Sequence, residues 1–377
     1  MQTTDDQQPG TPVDALVDVP VLDLPPEPAL DLDLVRAQYH PDSTYLNTAA
    51  FGVLPARAAD AVRIAVDTMA AGRPLDALFA DVEEARASFG RIVGAPVGRV
   101  AAGASVAVYG GLVAASLPPG AEVLTAESDF SSTVNPFHVR GDLKVRVVPL
   151  DEIAESVGPD TALVAVSAVQ SADGRVADLA ALREATRAHG ARLYIDASQA
   201  AGWLPPQELD ADYLSAVAYK WLGCPRGTAF FVGPEDPDEL RPVFGGYVSG
   251  EIPMDSCYGP VTEPARSGRR FDVAPSLLSY TAARQSLALV EEVGTDAVRA
   301  HDLALADRFR AGLADLGHAP VPSPGSPIVA VPQLGAKQAQ LRADGFEVAN
   351  RAGNLRAAFH LYNTTEDVDL LLAALSH

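Results

Sequence analysis

The sequence predicts an α/β protein whose larger domain is built on a mostly parallel sheet. Short, continuously apolar segments such as residues 161–167 and 192–196 are typical of strands buried on both faces. Amphipathic segments with helix start and stop signals alternate with these strands, which favours parallel strands joined by helices. The chain has 377 residues, enough for roughly two or three domains and a large core.

The N-terminal part of the chain differs from the rest. Residues 1–34 are acidic and rich in proline, so we expect a flexible arm there. Pro55 is expected to open a helix that runs to about Ala71. We divide the remainder into a large domain over residues 35–260, whose N-terminal segment also contributes to the small domain, and a small C-terminal α+β domain over residues 261–377.

Start and stop signals place the other elements. Gly190, for example, is expected to end a helix that begins at Asp178. A segment rich in proline and glycine, at about 233–268, separates the two series of elements. Helices are expected at 106–117, 178–189, 275–293, 296–316 and 365–375, and strands at 122–125, 144–149, 161–167, 192–196, 213–219, 228–232, 329–331 and 355–359.

Charge and cysteine content exclude several classes of function. Acidic residues outnumber basic ones 49 to 28, and this net charge of -21 repels nucleic acid and anionic membranes. The two cysteines, Cys224 and Cys257, cannot build a disulfide framework or a thiolate zinc site, so no metal is expected. The acidic N-terminal residues lack the basic region of a signal peptide, and no apolar run is long enough to span a membrane. We therefore expect a cytoplasmic protein.

The most informative segment is 218–227, in which Lys220 follows an apolar strand. The chain has only three lysines, at 144, 220 and 337, so a lysine in this apolar setting is informative. A buried ammonium group is costly unless it is paired or neutralised, and a Schiff base with an aldehyde cofactor neutralises it. The alternative is a lysine at the end of a strand that extends into water.

Asp196 ends a buried strand upstream of Lys220. Ligands of α/β sheets bind at the carboxyl ends of the strands, so this carboxylate could hold a proton on a pyridine nitrogen. That proton makes the ring an electron sink, which is the basis of pyridoxal-phosphate chemistry. The alternative role for Asp196 is the N-cap of a helix.

A phosphate group could bind at residues 103–107. Ala104 and Ser105 lie at an expected loop-to-helix junction, where free backbone N–H groups and the helix dipole favour an anion. The same stretch nearly matches the nucleophile elbow G-x-S-x-G, so a serine hydrolase built on Ser105 is an alternative. That alternative lacks an oxyanion segment of HGGG type and leaves Lys220 unexplained. Its possible partners are Asp196 and one of His301, His318 and His360.

The segments 194–199 and 219–227 resemble, in order and spacing, two motifs of the class V aminotransferase family. That family includes cysteine desulfurases, kynureninases, isopenicillin N epimerase-like proteins and the C–S lyases of ergothioneine synthesis. The resemblance extends from residues 45–48 to 361–367. It implies the fold-type-I architecture of pyridoxal-phosphate-dependent transferases and a homodimer with pyridoxal 5'-phosphate bound at the subunit interface.

The resemblance also implies a role for single residues. Lys220 matches the Schiff-base lysine and Asp196 the partner of the pyridine nitrogen. Arg356 matches the arginine that binds the substrate α-carboxylate, where a structural ion pair is the alternative, and Asn47 is a second substrate-binding residue. The other implied cofactor contacts are Gln199 and Ser171 near the phenolic oxygen, Phe130 against the ring face unless it is plain core, and Ala104, Ser105 and Ser276 near the phosphate.

Several positions depart from the family pattern. Val217 and Tyr219 stand where many relatives have a serine and a histidine, which removes a phosphate donor. Ser276 stands, in place of a Gly-Thr element, where the neighbouring subunit commonly contacts the phosphate. The segment 348–354 is short and contains no cysteine, so the catalytic-cysteine loop of desulfurases is absent. A persulfide-forming cysteine desulfurase is therefore not expected.

The resemblance implies an enzyme that acts on the α-carbon of an amino acid through an external aldimine, with Lys220 as the base. Aminotransferase or C–S/β-lyase chemistry is the leading interpretation, and an amino-acid epimerase of the same family follows it. A non-catalytic interaction protein with the same fold also stays open. Arginines such as Arg226 and Arg351 could bind a second acidic group of the substrate.

Overall fold

The computed structural model describes residues 31–376. The expected flexible arm falls mainly on residues 1–30, which lie outside the described residues, and its last positions already belong to a helix capped by Asp31. The helices are α1 (Leu32–Gln38), α2 (Ala56–Ala70), α3 (Asp76–Ile92), α4 (Val106–Ser116), α5 (Ser131–His138), α6 (Leu179–His189), α7 (Leu277–Val293), α8 (Thr295–Asp315), α9 (Gln338–Ala343) and α10 (Thr365–Leu375).

The strands form one large and two small sheets. Their bounds follow the apolar segments of the sequence closely, because a continuous run of branched and aromatic residues suits a strand that is covered on both faces. They are β1 (Thr44–Tyr45), β2 (Val100–Gly103), β3 (Glu122–Ala126), β4 (Lys144–Val148), β5 (Thr161–Ser167), β6 (Arg192–Asp196), β7 (Tyr213–Val217), β8 (Ala229–Val232), β9 (Ile328–Val331), β10 (Phe346–Glu347), β11 (Ala349–Arg351) and β12 (Asn354–Ala358).

The large sheet has seven strands in the order β2-β8-β7-β6-β5-β3-β4. Strands β3 to β7 run parallel, and β8 is antiparallel to both of its neighbours, β7 and β2. The sequence prediction of an α/β fold with a mostly parallel mixed sheet is confirmed. The carboxyl ends of β2, β3, β5, β6 and β7 therefore meet at one edge of the sheet.

Helices cover both faces of this sheet. One core cluster joins α3, α6 and α7 to the face that carries Leu193 and Ile195, and a second joins α4 and α5 to the face that carries Tyr194. These three consecutive residues of β6 have no exposed surface, which requires a layer on each side. Gly190 ends α6 with a left-handed φ of 70°, as its position after the helix predicts.

The smaller unit is a three-stranded antiparallel sheet in the order β11-β12-β9, packed on α8 and α10. The N-terminal segment joins it, because β1 pairs with β10 and Asn47 bridges to Ala358. Helix α7 lies within the C-terminal range of the sequence-based division, yet it packs on α2 and α3 in the core of the large unit. The smaller unit therefore begins at α8, apart from its N-terminal contribution.

Helices α3 and α5 are not among the expected elements. Helix α5 contains Pro136, which argues against a helix in the sequence, whereas α3 buries an apolar stripe at helical spacing that the sequence analysis did not use: Leu78, Val82, Ala85, Phe89 and Ile92. Residues 31–376 include no helix whose length and hydropathy would suit it to cross a bilayer. Over the same range, no group of three or more His, Cys, Asp or Glu is arranged to hold a metal ion.

Candidate active site

A cavity of about 360 Å³ opens at the carboxyl edge of the large sheet. This volume lies within the range of small-molecule sites, roughly 300–1,000 Å³. Its walls come from the turn after β2, the start of α5, the ends of β6 and β7, and the loop between β7 and β8. The lining residues are Ala104, Ser105, Val106, Phe130, Ser132, Asp196, Ser198, Val217, Tyr219, Lys220, Arg226 and Gly227.

Lys220 lies at this cavity, three residues after β7, and its side chain is 5% exposed. Burial lowers the pKa of its amine to about 8, and Arg356, Arg351 and Arg226 add to this effect against the opposing charge of Asp196. Within residues 31–376 its Nζ makes no hydrogen bond or ion pair. An amine with these properties is a nucleophile and base near neutral pH.

Asp196 ends β6 and also lines the cavity, where it is 3% exposed. Its Oδ2 accepts a hydrogen bond from Thr133 Oγ1 at 2.7 Å, and its Oδ1 accepts one from the Ser198 backbone N–H at 2.8 Å. These two contacts fix the plane of the carboxylate. The structure thus brings Asp196 and Lys220 to one cavity, as the sequence predicts, and Asp196 caps no helix among the described elements.

Phe130 is held at the cavity by a tight loop between β3 and α5. Ser128 in this loop has a φ of 59°, a left-handed conformation that is uncommon outside glycine. The half-buried carboxylate of Asp129 accepts hydrogen bonds from the Phe130 and Ser167 N–H groups at 2.6 and 2.8 Å. The Phe130 ring centroid lies 5.2 Å from Lys220 Nζ, and the ring is 43% exposed rather than packed in the core. This placement suits a ring that covers a bound ligand.

Ser105 is the N-cap of α4, and its Oγ accepts a hydrogen bond from the Ala107 N–H at 3.2 Å. Its hydroxyl hydrogen remains available to a ligand, and Ala104 and Val106 line the cavity beside it. The start of α4 therefore presents free N–H groups and a positive dipole end to the cavity, a combination that binds anions.

Gln199 and Ser171 do not line the cavity. The Gln199 amide donates to the Ala49 carbonyl at 2.8 Å and to Ser171 Oγ at 2.9 Å, while its oxygen accepts from Trp221 Nε1 at 2.8 Å. Both donors and the acceptor of this buried amide are thus engaged by protein. The implied contacts of Gln199 and Ser171 with the cofactor remain predictions.

Arg356 is the most unusual residue of the site, because it is 1% exposed and has no carboxylate partner in the part of the chain that the structure describes. Its guanidinium donates to the Ser171 carbonyl and, at 3.4 Å, to Asn47 Oδ1, while its Nε has no partner. Burial, followed by the charge of Arg351, lowers its pKa to about 9. A buried, uncompensated cation with a free donor is suited to an anionic ligand. The alternative of a structural ion pair receives no support.

Gly52 fixes the N-terminal segment against the lysine. Its N–H donates to the Tyr219 carbonyl at 2.8 Å, and a Cβ built at this position would stand 1.9 Å from the Lys220 carbonyl oxygen. Only glycine allows the two chains to approach this closely. The segment 47–52 thereby carries Asn47 to Arg356 and lies against the backbone of Lys220.

The structure places the other candidates away from the cavity lining. Ser276 immediately precedes α7 and bonds to Ser279, and its Cβ lies next to Gly227; its implied contact with the phosphate remains a prediction. The hydrolase alternative lacks its base: Ser105 and Asp196 both line the cavity, but no histidine does, and His360 pairs with Asp302 at 2.9 Å behind Trp221.

Thr133 and Arg226 are the site residues that sequence reasoning undervalued. Nothing in the local sequence distinguishes Thr133 from other threonines, because its role depends on a contact between α5 and β6. Arg226 lies in the same ten residues as Lys220, so that segment already offered a signal. Its guanidinium stacks 5.0 Å from the ring centroids of both Phe51 and Tyr219.

A pyridine ring with a phosphate group fits this arrangement. Lys220 can bind an aldehyde, Asp196 can face a ring nitrogen, Phe130 can cover the ring, and the start of α4 can bind a phosphate. Each of these groups lines the same cavity. The unpartnered amine of Lys220 and the free N–H groups at the start of α4 are the features that such a group would satisfy.

Comparisons with known proteins agree with this geometry. The sequence profile of Aminotransferase class-V matches residues 77–341. An uncharacterized aminotransferase of Bacillus subtilis is 30% identical over 232 residues, which are 58% of this chain and 61% of that protein. A probable cysteine desulfurase of Halobacterium salinarum is 25% identical over 295 residues, which are 68% of this chain and 70% of that one.

A solved structure, the apo form of a cysteine desulfurase from Thermococcus onnurineus, superposes with a TM-score of 0.79 over 92% of this chain and 97% of that chain, at 21% identity. This likeness concerns the fold. The alignment with the Bacillus relative spans less than two thirds of that protein.

Proposed function

The chain belongs to the aminotransferase class-V family, and from this premise we propose that it is a pyridoxal-phosphate-dependent transaminase or C–S/β-lyase of an α-amino acid. The family fixes the cofactor as pyridoxal 5'-phosphate. When bound, this cofactor supplies a protonated pyridine ring that withdraws electrons from the substrate α-carbon. The observation that carries the proposal is Lys220, a buried and unpartnered amine at the cavity with a pKa lowered to about 8.

Arg356 provides the substrate site in this proposal. Its guanidinium binds the α-carboxylate in place of the missing counter-ion, and Asn47 lies within 3.4 Å of the same guanidinium. A bidentate guanidinium fixes the orientation of a carboxylate as well as its charge. Arg356 lies outside the cavity lining, but its charge acts on Lys220, so a carboxylate bound to it would bring the substrate near that amine.

Lys220 removes and returns the α-proton. An amine with a pKa of about 8 is partly neutral at physiological pH, so it can accept a proton without a large penalty. Thr133 and Ser198 hold the Asp196 carboxylate in place, so it would be available to keep a proton on the ring nitrogen of the bound cofactor. Phe130 covers the ring and limits the access of water.

We further propose that the enzyme acts in the cytoplasm as a homodimer. The segment between β8 and α7 exposes large apolar side chains, an arrangement typical of an interface. Phe51 and Phe130, both 43% exposed beside the cavity, would also be covered by a second subunit. Both cysteines are free thiols, as is usual in a reducing compartment. The exposed residues of the segment are Val243, Phe244, Tyr247, Ile252, Met254 and Tyr258.

A screen of amino acids, with and without a keto-acid acceptor, tests the proposal. The protein loaded with pyridoxal phosphate is expected to form a keto acid from at least one amino acid. Dependence on the acceptor indicates transamination, and release of ammonia or sulfide without it indicates a lyase. Lys220→Ala should abolish product formation. If no amino acid yields product or exchanges its α-hydrogen with solvent deuterium, the proposal is wrong.

A further inference from the structure

The loop between β7 and β8 carries a cation whose partner is not visible in the protein. The Arg226 side chain is exposed, lines the cavity, and makes no hydrogen bond or ion pair over residues 31–376. Most arginines of this strongly acidic chain have a carboxylate within reach, Arg183 and Arg192 among them. Arg226 instead stacks 5.0 Å from the rings of Phe51 and Tyr219.

The sheet register places Arg226 beside the start of α4. Gly103, at the end of β2, pairs with Ala229, at the start of β8, in an antiparallel ladder. Ser105 lies two residues after Gly103, and Gly227 lies two residues before Ala229, so both extend from the same end of this ladder. The Tyr280 hydroxyl accepts the Gly103 N–H and donates to the Ala229 carbonyl, both at 2.7 Å, which holds the two strand ends together. Arg226 and the anion-binding end of α4 therefore face the same part of the cavity.

The other donors near this part of the cavity are few. The Val217 side chain has no polar group, and the Tyr219 ring stacks with Phe51 and Arg226. Ser105, Ser132 and Tyr219 contribute neutral hydroxyl groups to the lining. Asp196 is the only carboxylate of the lining, and the Ser198 hydroxyl there accepts the Val217 N–H at 3.0 Å. A dianionic phosphate bound by neutral hydroxyl groups and a helix end would lack a compensating cation unless Arg226 supplied it.

We propose that Arg226 is the cation that binds the phosphate group of the cofactor, together with Ser105 and the first N–H groups of α4. Phe51 and Tyr219 act as positioning residues, because their rings hold the guanidinium by cation–π contacts. The inference rests on the proposed function, since it assigns the phosphate end of the same cofactor. In this assignment the guanidinium supplies a phosphate contact in place of the donor that is lost where Val217 and Tyr219 replace the serine and histidine of many relatives.

Binding of pyridoxal 5'-phosphate and of pyridoxal, which lacks the phosphate, tests the assignment by equilibrium dialysis on cofactor-free protein. Arg226→Gln is expected to raise the Kd of pyridoxal phosphate roughly 10- to 100-fold and to leave the Kd of pyridoxal nearly unchanged. Arg226→Lys should restore part of the loss. Phe51→Ala should raise the Kd of pyridoxal phosphate by about two- to fivefold, through the weaker hold on the guanidinium.

Arg351→Gln is the matched control, because Arg351 also lowers the pKa of Lys220 but does not line the cavity. It should leave the ratio of the two Kd values unchanged. Equal binding of pyridoxal phosphate by Arg226→Gln and the parent protein would overturn the assignment, and so would an equal loss for both ligands. Failure of the parent protein itself to bind pyridoxal phosphate would instead refute the proposed function.

Discussion

Replacing Arg356 with methionine separates two consequences of a buried cation that has no carboxylate beside it. Methionine keeps a long, flexible side chain while it removes the charge and the donors. We expect the cofactor-free protein to become more stable, because an uncompensated charge is lost from its interior. We expect the loaded enzyme to bind its amino acid more weakly, because the α-carboxylate loses its counter-ion. The two effects therefore have opposite signs.

The structure gives the size of both effects. Burial, followed by the charge of Arg351, lowers the pKa of Arg356 well below its ordinary value, to about 9. At ~1.4 kcal/mol for each pKa unit, the buried charge costs about 5 kcal/mol. Losing the hydrogen bonds to Ser171 and Asn47, with their acceptors left unpaired, offsets about 2–4 kcal/mol of this. The free energy of unfolding should thus rise by about 1–3 kcal/mol. The KM should rise roughly 30- to 1,000-fold.

Urea unfolding of the cofactor-free variants and KM measurements on the loaded enzymes give the two readouts. Arg86→Met is the matched control, because Arg86 is equally buried but bonds to Asp272 at 2.7 and 2.9 Å and to Glu83 at 3.0 Å. Its removal leaves the buried Asp272 carboxylate unpaired, so a loss of about 3–5 kcal/mol is expected. The control should leave the KM of the remaining folded enzyme unchanged.

The reasoning fails if Arg356→Met and Arg86→Met destabilise the protein to the same extent. It also fails if Arg356→Met leaves the KM unchanged, since Arg356 would then be a structural cation rather than the binding site of a carboxylate. Chemical rescue adds a further check. Guanidinium-type compounds at millimolar concentration should restore part of the activity of a smaller variant, Arg356→Ala, but not that of Arg86→Ala.

Three further predictions concern other residues. Burial lowers the pKa of Lys220, so its charge destabilises the cofactor-free protein below pH about 8, and this cost disappears as the pH rises toward 10.5. Relative to Lys220→Met, the free energy of unfolding of the parent in urea should therefore rise by about 3 kcal/mol over this range. A difference between the two proteins that does not change with pH would contradict this prediction. Gly52→Ala should lower kcat roughly 100-fold by displacing the Lys220 backbone, whereas Gly98→Ala, with open space around it, should have no effect. Cys224→Ala and Cys257→Ser should both retain turnover. Burial raises the pKa of the Cys224 thiol, which makes it a poor nucleophile, and Cys257 lies outside the cavity lining. Loss of activity in either variant would indicate desulfurase chemistry.

The main elements of the fold could be read from the sequence because most strands are buried on both faces. Strand β6, from Arg192 to Asp196, is apolar without alternation, and its bounds agree with the prediction. Helix α5 could not be read, because Pro136 lies inside it and its stability depends on tertiary contacts with α4, β5 and β6. The position of α7 was also beyond the sequence, since an amphipathic helix does not reveal which domain its apolar face will meet.

The residues of the candidate site could likewise be predicted only in part. Lys220 and Asp196 were predicted because each follows an apolar strand, and strand ends are where α/β sheets bind ligands. The partner of Asp196, Thr133, depends on the contact between α5 and β6, which no local pattern encodes. The absence of a carboxylate beside Arg356 within the described residues is likewise a fact of packing. The sequence could suggest its role only through resemblance to a family.

Borohydride reduction of the protein loaded with pyridoxal phosphate tests whether Lys220 is the residue that carries the cofactor. Reduction fixes a cofactor bound to an amine, and digestion followed by mass spectrometry identifies the modified residue. The chain has only three lysines, so the result is unambiguous. The account predicts the reduced cofactor on the peptide that contains Lys220 and on neither of the peptides with Lys144 and Lys337. An unmodified Lys220 peptide, or a Lys220→Ala variant with the absorption spectrum of the parent, would contradict it.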